Sequence, residues 1–326
     1  MERNGGASVR LSIIITHFKE PWSIVKPMID SLYIQRGIDW KDIEILLIQD
    51  GEEGAIDRHH YASYGLPILT TTIEHGGVSK ARNMGLLAAD GDYVMFCDCD
   101  DMFCNAFALN MIFNSMKDGP DIITNAFIEE SAENGYHLFR HEKDTQFVHG
   151  KVFDRNFLIE NNITFPEHIH KHEDGATIRL AFLLTDDVQY ITTPFYTWAW
   201  NPNSMMREER LIDSYAELMA ARAEFLNRLK VRGMDDEYKQ QCAVTVFVCY
   251  YDFNKPDFCA TENQDKVHEA ALCFKMLYKD IKDVYLSNGE VELARIAQKC
   301  RTEACEFGLL MEHMSLGQFL GAIEGM

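Results

Sequence analysis

The sequence contains no long apolar run, and this limits how the chain can meet a membrane. No stretch approaches the length of about 18 apolar residues that a membrane-spanning helix needs. The opening stretch MERNGGASVR also lacks the apolar core of a signal peptide. We therefore expect a cytoplasmic protein without an integral membrane segment, and peripheral association with a membrane stays open.

Positive charge is also scarce. The 326 residues include 31 Lys and Arg against 51 Asp and Glu, so the formal net charge is −20. A general positive field, which binds nucleic acid or anionic lipid, is therefore disfavoured. A cationic patch or a metal ion inside a single cleft remains compatible with this charge.

Paired-cysteine motifs are missing as well. The nine cysteines are scattered, and none forms the doubled CxxC pattern that is typical of structural zinc sites. Reduced thiols in a cytoplasmic protein are the expectation. The remaining composition, 47% hydrophobic and 25% charged, is that of a soluble globular protein with a sizeable core.

Strand-like and helix-like segments alternate through residues 10–130. The strand-like runs are apolar or β-branched: LSIIIT (11–16), IEILLIQDG (43–51), LPILTTT (66–72) and DYVMFCDCDD (92–101). This alternation predicts an α/β domain on a mostly parallel sheet with helices on both faces. Ligands of such sheets bind beyond the carboxyl ends of the strands, so His17, Asp50 and Asp98 should meet in one crevice.

The composition changes after about residue 205. Segments such as ERLIDSYAELMAARAEFLNRLKVRG (209–233) are rich in the helix formers Ala, Leu, Glu and Arg. We predict a nucleotide-sugar-binding and catalytic domain over residues 1–207 and a helical C-terminal region over residues 208–326. The helical region would shape the acceptor site or form an oligomer contact.

Three acids, Asp98, Asp100 and Asp101, end the fourth predicted strand. Carboxylates this close repel each other, and burial raises their pKa values further. A divalent cation would remove that penalty, because Mg²⁺ and Mn²⁺ prefer carboxylate oxygens and share phosphate oxygens as ligands. The alternative is a solvated acidic turn.

The stretch HGGVSKARNMGLLAADGDYVMFCDCDD (75–101) resembles the family 2 glycosyltransferases, which have a GT-A fold. In that family, a Gly-Gly-x-Ser-x-Ala-Arg-Asn helix precedes a strand ending in Asp-x-Asp-Asp. Three further stretches match family patterns in the same order: SIIITHFKEP (12–21), ILLIQDGEEG (45–54) and HGKVFDRNFLIENNITFPEHIHKHED (149–174). The resemblance spans residues 10–207 and implies a Rossmann-like, nucleotide-binding mixed sheet with helices on both faces.

The resemblance implies a metal site for the acids. They would hold Mn²⁺ or Mg²⁺ against the diphosphate of a nucleotide sugar. Asp100 would be the direct ligand, Asp98 would contact the ribose or a metal-bound water, and Asp101 would orient the metal shell. Asp50 would accept the uracil N3–H of a UDP-sugar, although an Asp-Gly turn also explains this residue.

The resemblance extends the donor site to the first strand, to the Gly-Gly helix and to YTWAWNPNSMMR (196–207). The implied nucleotide-sugar contacts are Thr16, His17, Phe18, Lys80, Arg82, Trp198, Ser204 and Arg207. Each group has an ordinary alternative. Phe18 suits a core position, Lys80 and Arg82 suit a solvated helix surface, and period-two Trp198 and Trp200 suit a half-buried strand.

Glu173 and Asp174 begin a further predicted helix, where acids often serve only as N-caps. The resemblance implies that Asp174 is the general base of an inverting transfer and that Glu173 positions the acceptor or a backbone group. His168, His170 and His172 precede this pair. They either bind zinc or line the acceptor loop, and His172 replaces an aromatic residue that is common in the family.

The sequence therefore predicts a metal-dependent, inverting glycosyltransferase with a nucleotide-sugar donor, in particular a UDP-sugar. A catalytically silent nucleotide-sugar-binding or scaffold protein and a nucleotidyltransferase are the alternatives. The acceptor class stays open among a glycan, a lipid-linked sugar, a protein and a modified nucleic acid. A homo-oligomer is also open.

Overall fold

The computed structural model describes residues 10–132, 135–201, 210–306 and 314–326. The chain forms two compact units, Met1–Pro202 and Asn203–Met326. The predicted division after residue 207 falls among residues 202–209, outside the described ranges, and stays a prediction.

The first unit alternates strands and helices along its first part. In chain order these elements are β1 (Leu11–His17), α1 (Trp22–Tyr33), β2 (Ile43–Asp50), β3 (Ile68–Ile73), α2 (Val78–Ala88), β4 (Tyr93–Asp98), β5 (Met102–Phe103) and α3 (Ala108–Ser115). Its second part contains β6 (Ile122–Ser131), β7 (His137–His141), β8 (Val152–Asp154), α4 (Arg155–Glu160), α5 (Glu173–Leu183) and β9 (Val188–Trp198).

These strands form one mixed sheet in the order β3-β2-β1-β4-β8-β6-β9-β5, with β7 paired to β6. The first four strands of that order pair in parallel. Strand β8 is antiparallel to β4, and β6 and β9 pair in parallel beyond it. The predicted α/β architecture and the mixed sheet that the family resemblance implies are confirmed, whereas the expectation of a mostly parallel sheet from the alternation alone is wrong.

Alternating side chains of the strands enter two cores, one on each face of the sheet. Ile13 and Ile15 of β1 pack with residues of α1 and α3, such as Met28 and Ile112. Ile14, between them, joins the other core with residues of α2, α4 and α5. The continuous apolar run of β1 thus reflects a strand that is covered on both faces.

The second unit is helical. Its described helices are α6 (Tyr215–Val231), α7 (Asp235–Asp252), α8 (Pro256–Cys259), α9 (Gln264–Leu286), α10 (Glu290–Glu306) and α11 (Leu316–Gly325). They share a core of aliphatic and aromatic side chains that includes Val246, Phe274 and Phe319. The predicted helical C-terminal region is confirmed, whereas its role stays a prediction.

The structure bears on two further expectations, the absence of a membrane-spanning helix and the reduced state of the cysteines. Among the described residues, no helix has the length and apolar character that crossing a membrane requires. All nine cysteines lie within the described ranges, and each is a free thiol.

Candidate active site

The carboxyl ends of β1, β2 and β4 lie side by side because these strands pair in parallel. Thr16 of β1 is in register with Asp98 of β4, and His17 is in register with Gln49 of β2. Asp50 ends β2 and Asp98 ends β4. The sequence-predicted residues His17, Asp50 and Asp98 therefore share one edge of the sheet.

Two of the predicted metal acids meet a histidine at this edge. Ligand atoms of Asp98, Asp101 and His149 all lie within 4.8 Å of one another. Asp98 keeps 27% of its side chain exposed, whereas Asp101 is fully buried and His149 is 5% exposed. The cluster therefore reaches solvent at Asp98.

Asp101 is anchored from several sides. Its Oδ2 accepts a hydrogen bond from the Tyr196 hydroxyl at 2.7 Å, and its Oδ1 accepts one from the Ala199 N–H at 3.0 Å. His149 Nδ1 lies 3.4 Å from the same Oδ2. Burial raises the pKa of Asp101, and the nearby His149 opposes that shift.

Asp100 follows the end of β4 and accepts a hydrogen bond from Asn201 Nδ2 at 2.8 Å. Burial, together with the charges of Asp101 and Asp98, raises the pKa of Asp100 to about 7. This donor set fits a hard divalent cation, because a positive ion would compensate these crowded carboxylate oxygens.

Arg82 of α2 connects the end of β4 with the start of α5. Its Nη2 donates to Asp98 Oδ1 at 2.9 Å, and its Nη1 donates to Glu173 Oε1 at 2.6 Å. Arg82 is 3% exposed, and its guanidinium lies 5.1 Å from the centroid of the Phe165 ring. The alternative of a solvated surface cation therefore does not describe Arg82.

The two acids at the start of α5 have different environments. Glu173 is buried, and its Oε1 accepts the hydrogen bond from Arg82. Burial raises its pKa to about 7, with Arg82 opposing and Asp174 adding to the shift. Asp174 is half-buried, and its Oδ1 accepts the N–H of Gly175 at 2.8 Å.

The residue before them, His172, has a left-handed backbone with φ +63° and provides no side-chain cap. The zinc alternative gains no support nearby. Within the part of the chain that the structure describes, no group of His, Cys, Asp and Glu side chains close enough to hold a metal ion includes His168, His170 or His172.

Asp50 holds the turn that begins α2. Its Oδ1 accepts the Gly76 N–H, and its Oδ2 accepts the Gly77 N–H, both at 2.8 Å. His75 Nδ1 lies 2.8 Å from the same Oδ2. The Asp50 side chain is 4% exposed, so its carboxylate is largely committed to this turn.

The other donor-side residues lie around this turn and the end of β1. His17 Nε2 is 2.9 Å from the Glu20 carbonyl oxygen, and Lys80 Nζ donates to the Glu74 carbonyl at 2.9 Å. Phe18 is 38% exposed, which differs from the alternative of a core position.

The structure describes only part of the predicted donor-site segment 196–207. Trp198 ends β9, is half-buried and packs on His149, with 5.0 Å between ring centroids and an interplanar angle of 21°. Ser204 and Arg207 lie outside the described residues. Their predicted contacts stay predictions.

Sequence reasoning did not single out three residues that this edge contains. His149 directly precedes Gly150 and Lys151 of the matched motif, and His75 directly precedes the Gly-Gly pair. Asn201 follows the second tryptophan of the 196–207 segment. Their positions beside recognised motifs were the available signal.

Sequence comparison gives both a family and named relatives. The profile described as "Glycosyl transferase family 2" matches residues 12–183. "Uncharacterized glycosyltransferase EpsJ" of Bacillus subtilis strain 168 is 26% identical over 290 residues, covering 78% of this chain and 80% of that protein. "Poly(ribitol-phosphate) beta-glucosyltransferase" of Bacillus spizizenii is 25% identical over 191 residues, covering 54% of this chain and 30% of that protein.

Structure comparison supports the same fold. The crystal structure of S. aureus TarS 1–349 superposes with a TM-score of 0.62 at 16% identity, over 90% of this chain and 92% of that one. TarS 1–349 in complex with UDP-GlcNAc superposes over the same shares, 90% and 92%, with a TM-score of 0.59 at 16% identity. The predicted GT-A fold is confirmed.

Proposed function

The chain belongs to glycosyl transferase family 2 and is a glycosyltransferase, and we propose that it transfers a sugar from a UDP-sugar to an acceptor hydroxyl with inversion, with the help of a divalent metal ion. One observation carries this proposal. Arg82 joins Asp98, at the end of β4, to Glu173, which precedes Asp174 at the start of α5. The donor-side acids and the candidate base therefore belong to one connected group.

A uridine donor is supported by the relatives of the fold. The TarS crystal structures include complexes with UDP and with UDP-GlcNAc. In this chain, the proposed nucleotide-sugar contacts are Thr16, His17, Phe18, Asp50, Lys80, Arg82, Asp98, Trp198, Ser204 and Arg207. Asp50, which ends β2 beside the turn that starts α2, is assigned to the nucleobase in this proposal.

Asp98, Asp100 and Asp101 are the proposed holders of Mn²⁺ or Mg²⁺, and His149 lies beside Asp98 and Asp101. A divalent cation bound there would stabilise the charge that develops on the departing diphosphate. The Asp101 carboxylate has a fixed orientation, because Tyr196 and Ala199 each donate a hydrogen bond to one of its oxygens. Asn201 donates a hydrogen bond to Oδ2 of Asp100.

Asp174 is the proposed general base. It takes the proton of the acceptor hydroxyl while that oxygen forms a bond to the anomeric carbon and the bond from that carbon to the diphosphate oxygen breaks. Attack from the face opposite the leaving group inverts the anomeric configuration. Glu173, held by Arg82, positions the start of α5 and therefore the Asp174 backbone.

The acceptor group is a hydroxyl. The molecule that carries it stays open among a glycan, a lipid-linked sugar, a protein and a modified nucleic acid. The net charge of −20 disfavours the last of these. The helical second unit is proposed to shape the acceptor site or to form a contact in a homo-oligomer.

A thermal-shift panel tests the donor and the metal together. The chain is heated with UDP, GDP, CDP, TDP or UDP-sugars, each with Mn²⁺ and with EDTA. A ligand that binds the folded state raises the melting temperature by mass action. We expect a Mn²⁺-dependent rise confined to uridine compounds, followed by release of UDP from one UDP-sugar. Absence of any nucleotide effect would favour a scaffold, and release of pyrophosphate would favour nucleotidyl transfer.

A further inference from the structure

His75 lies in the turn between β3 and α2, at the edge of the sheet where β1, β2 and β3 end. Its ring stacks on Phe18, with 4.3 Å between centroids and 10° between planes. Its Nδ1 lies 2.8 Å from Asp50 Oδ2. Even so, the His75 side chain is 58% exposed, against 4% for Asp50. A ring that is fixed by two neighbours therefore still faces solvent.

The contact with Asp50 determines which ring nitrogen of His75 carries hydrogen. An ionised carboxylate only accepts hydrogen bonds, so Nδ1 is the donor in this pair. In the neutral imidazole, Nε2 is then a hydrogen-bond acceptor. Within the described residues, the contacts of His75 are made through Nδ1 and the ring face, so Nε2 remains available to a ligand.

The loops around His75 pack closely against one another. Gly51, directly after β2, has φ +111°, and a Cβ there would lie 3.5 Å from His75 Cβ. Gly54 has φ +76°, and a Cβ there would lie only 2.8 Å from Lys19 Cα. The segment after β2 thus lies close to Lys19 on one side and to His75 on the other, and its two glycines have the positive φ that other residues rarely adopt.

We propose that His75 reads the nucleobase of the donor in place of the direct contact predicted for Asp50: its Nε2 accepts the N3–H of uracil, and Asp50 acts through it by fixing its tautomer and orientation. Uracil N3 carries a hydrogen, whereas N3 of cytosine is itself an acceptor. An acceptor at Nε2 therefore favours uracil, and a ligand without the N–H would leave a polar group unpaired. This inference rests on the proposed function, namely that the donor is a uridine nucleotide sugar.

Two substitutions separate the two nitrogens of the ring. His75→Asn keeps an amide nitrogen near the position of Nδ1, so the contact with Asp50 can persist, but it has no atom at the position of Nε2. His75→Gln reaches the position of Nε2 and can offer an oxygen there. His59→Asn is the matched control, because His59 Nδ1 lies 2.9 Å from a different acid, Asp57.

Titration calorimetry of the full chain with Mn²⁺ measures binding of UDP, CDP and N3-methyl-UDP, in which a methyl group replaces the N3 hydrogen. The unchanged chain and His59→Asn should bind UDP at least about tenfold more tightly than the other two. In His75→Asn that preference should fall to about twofold or less, and His75→Gln should retain part of it. Circular dichroism checks that each variant is folded.

The outcomes separate this inference from the function on which it rests. If the unchanged chain binds UDP but His75→Asn keeps the full preference, His75 does not read the base and the proposed function stands. Equal binding of UDP and N3-methyl-UDP by the unchanged chain overturns the inference without any variant. If the unchanged chain binds no uridine nucleotide, the proposed function and the inference both fail.

Discussion

Arg82 and Glu173 are 91 residues apart in the sequence, yet they form a buried ion pair with 2.6 Å between Nη1 and Oε1. The same guanidinium donates to Asp98, so one cation compensates two acids. Burial disfavours the charged guanidinium, but Asp98 and Glu173 more than offset this effect and raise the pKa of Arg82. Arg82 therefore compensates the charges of Asp98 and Glu173 together.

Replacing Arg82 should destabilise the first unit. Arg82→Met leaves Asp98 and Glu173 without their compensating charge, and loss of one partner of a buried ion pair costs about 3 kcal/mol. All four tryptophans lie in Met1–Pro202, so their fluorescence during urea unfolding reports this unit.

Lys80→Met is the control for Arg82→Met. Lys80 is half-buried and donates to the Glu74 carbonyl, and its loss should cost about 0.5 kcal/mol or less. An equal loss of unfolding free energy in Arg82→Met and Lys80→Met would contradict the stabilising role of Arg82.

Asp100→Asn should separate stability from function. Burial and the charges of Asp101 and Asp98 raise the pKa of Asp100 to about 7, so its ionised form opposes folding when no cation is present. Asparagine removes the charge and can still accept the hydrogen bond from Asn201. In EDTA, the free energy of unfolding should therefore rise by about 1 kcal/mol. Nucleotide binding should lose its dependence on Mn²⁺.

Asp118→Asn provides the comparison for Asp100. Asp118 is an exposed acid beyond α3. Its substitution should change neither the free energy of unfolding in EDTA nor the Mn²⁺ dependence of nucleotide binding. The metal assignment would be wrong if Asp100→Asn bound nucleotide with the same Mn²⁺ dependence as the unchanged chain. It would also be weakened if both substitutions altered binding equally.

A second buried ion pair allows a test of charge removal at residues other than the proposed metal acids. Lys151 is fully buried, with its Nζ 2.7 Å from Asp144 Oδ2. Burial lowers the pKa of Lys151, and the charges of Asp144 and Asp174 oppose that shift. Asp144→Asn should cost about 3 kcal/mol because the ammonium group loses its partner. Lys151→Met combined with Asp144→Asn should cost less, because no buried charge remains. Tryptophan fluorescence in urea measures both, and a double variant less stable than Asp144→Asn would contradict this account.

The sequence was sufficient to predict the strands that carry the site. Buried parallel strands have continuous apolar runs, so β1, β2 and β4 were recognisable from residues such as Ile14 and Phe96. Their ends were less accurate. The sequence extended the fourth strand through Asp101, whereas β4 ends at Asp98 and the next acids belong to a turn. A strand ends where its pairing ends, and the pairing between β1 and β4 stops at Thr16 and Asp98.

Other parts of the site depend on contacts that no local pattern encodes. His149 reaches the acids because β8 pairs antiparallel with β4 and because Trp198 packs on its ring. The partnership of Asp50 with His75 depends on the turn that follows β3. Residues of this kind are determined by tertiary packing, so a sequence motif marks only their neighbourhood.

Asp174→Asn should stop transfer while donor binding continues. Asparagine has nearly the same size as aspartate, but its amide cannot take the proton of the acceptor hydroxyl. General base catalysis contributes about 100-fold or more to such a step, so release of UDP from a UDP-sugar should fall by at least that factor. The affinity for UDP with Mn²⁺ should stay within about twofold, since the proposed donor contacts do not include this side chain.

Two further substitutions sharpen this last prediction. Asp186→Asn changes an exposed acid beyond the end of α5 and should leave both UDP release and UDP affinity unchanged. Glu173→Ala should lower the free energy of unfolding, because Arg82 loses a hydrogen-bond acceptor and a buried side chain is removed, whereas Asp174→Asn should not. If Asp174→Asn released UDP at the rate of the unchanged chain, another residue would have to accept the proton. If it also lowered stability as Glu173→Ala does, the two acids would share a structural role and the start of α5 would not contain the base.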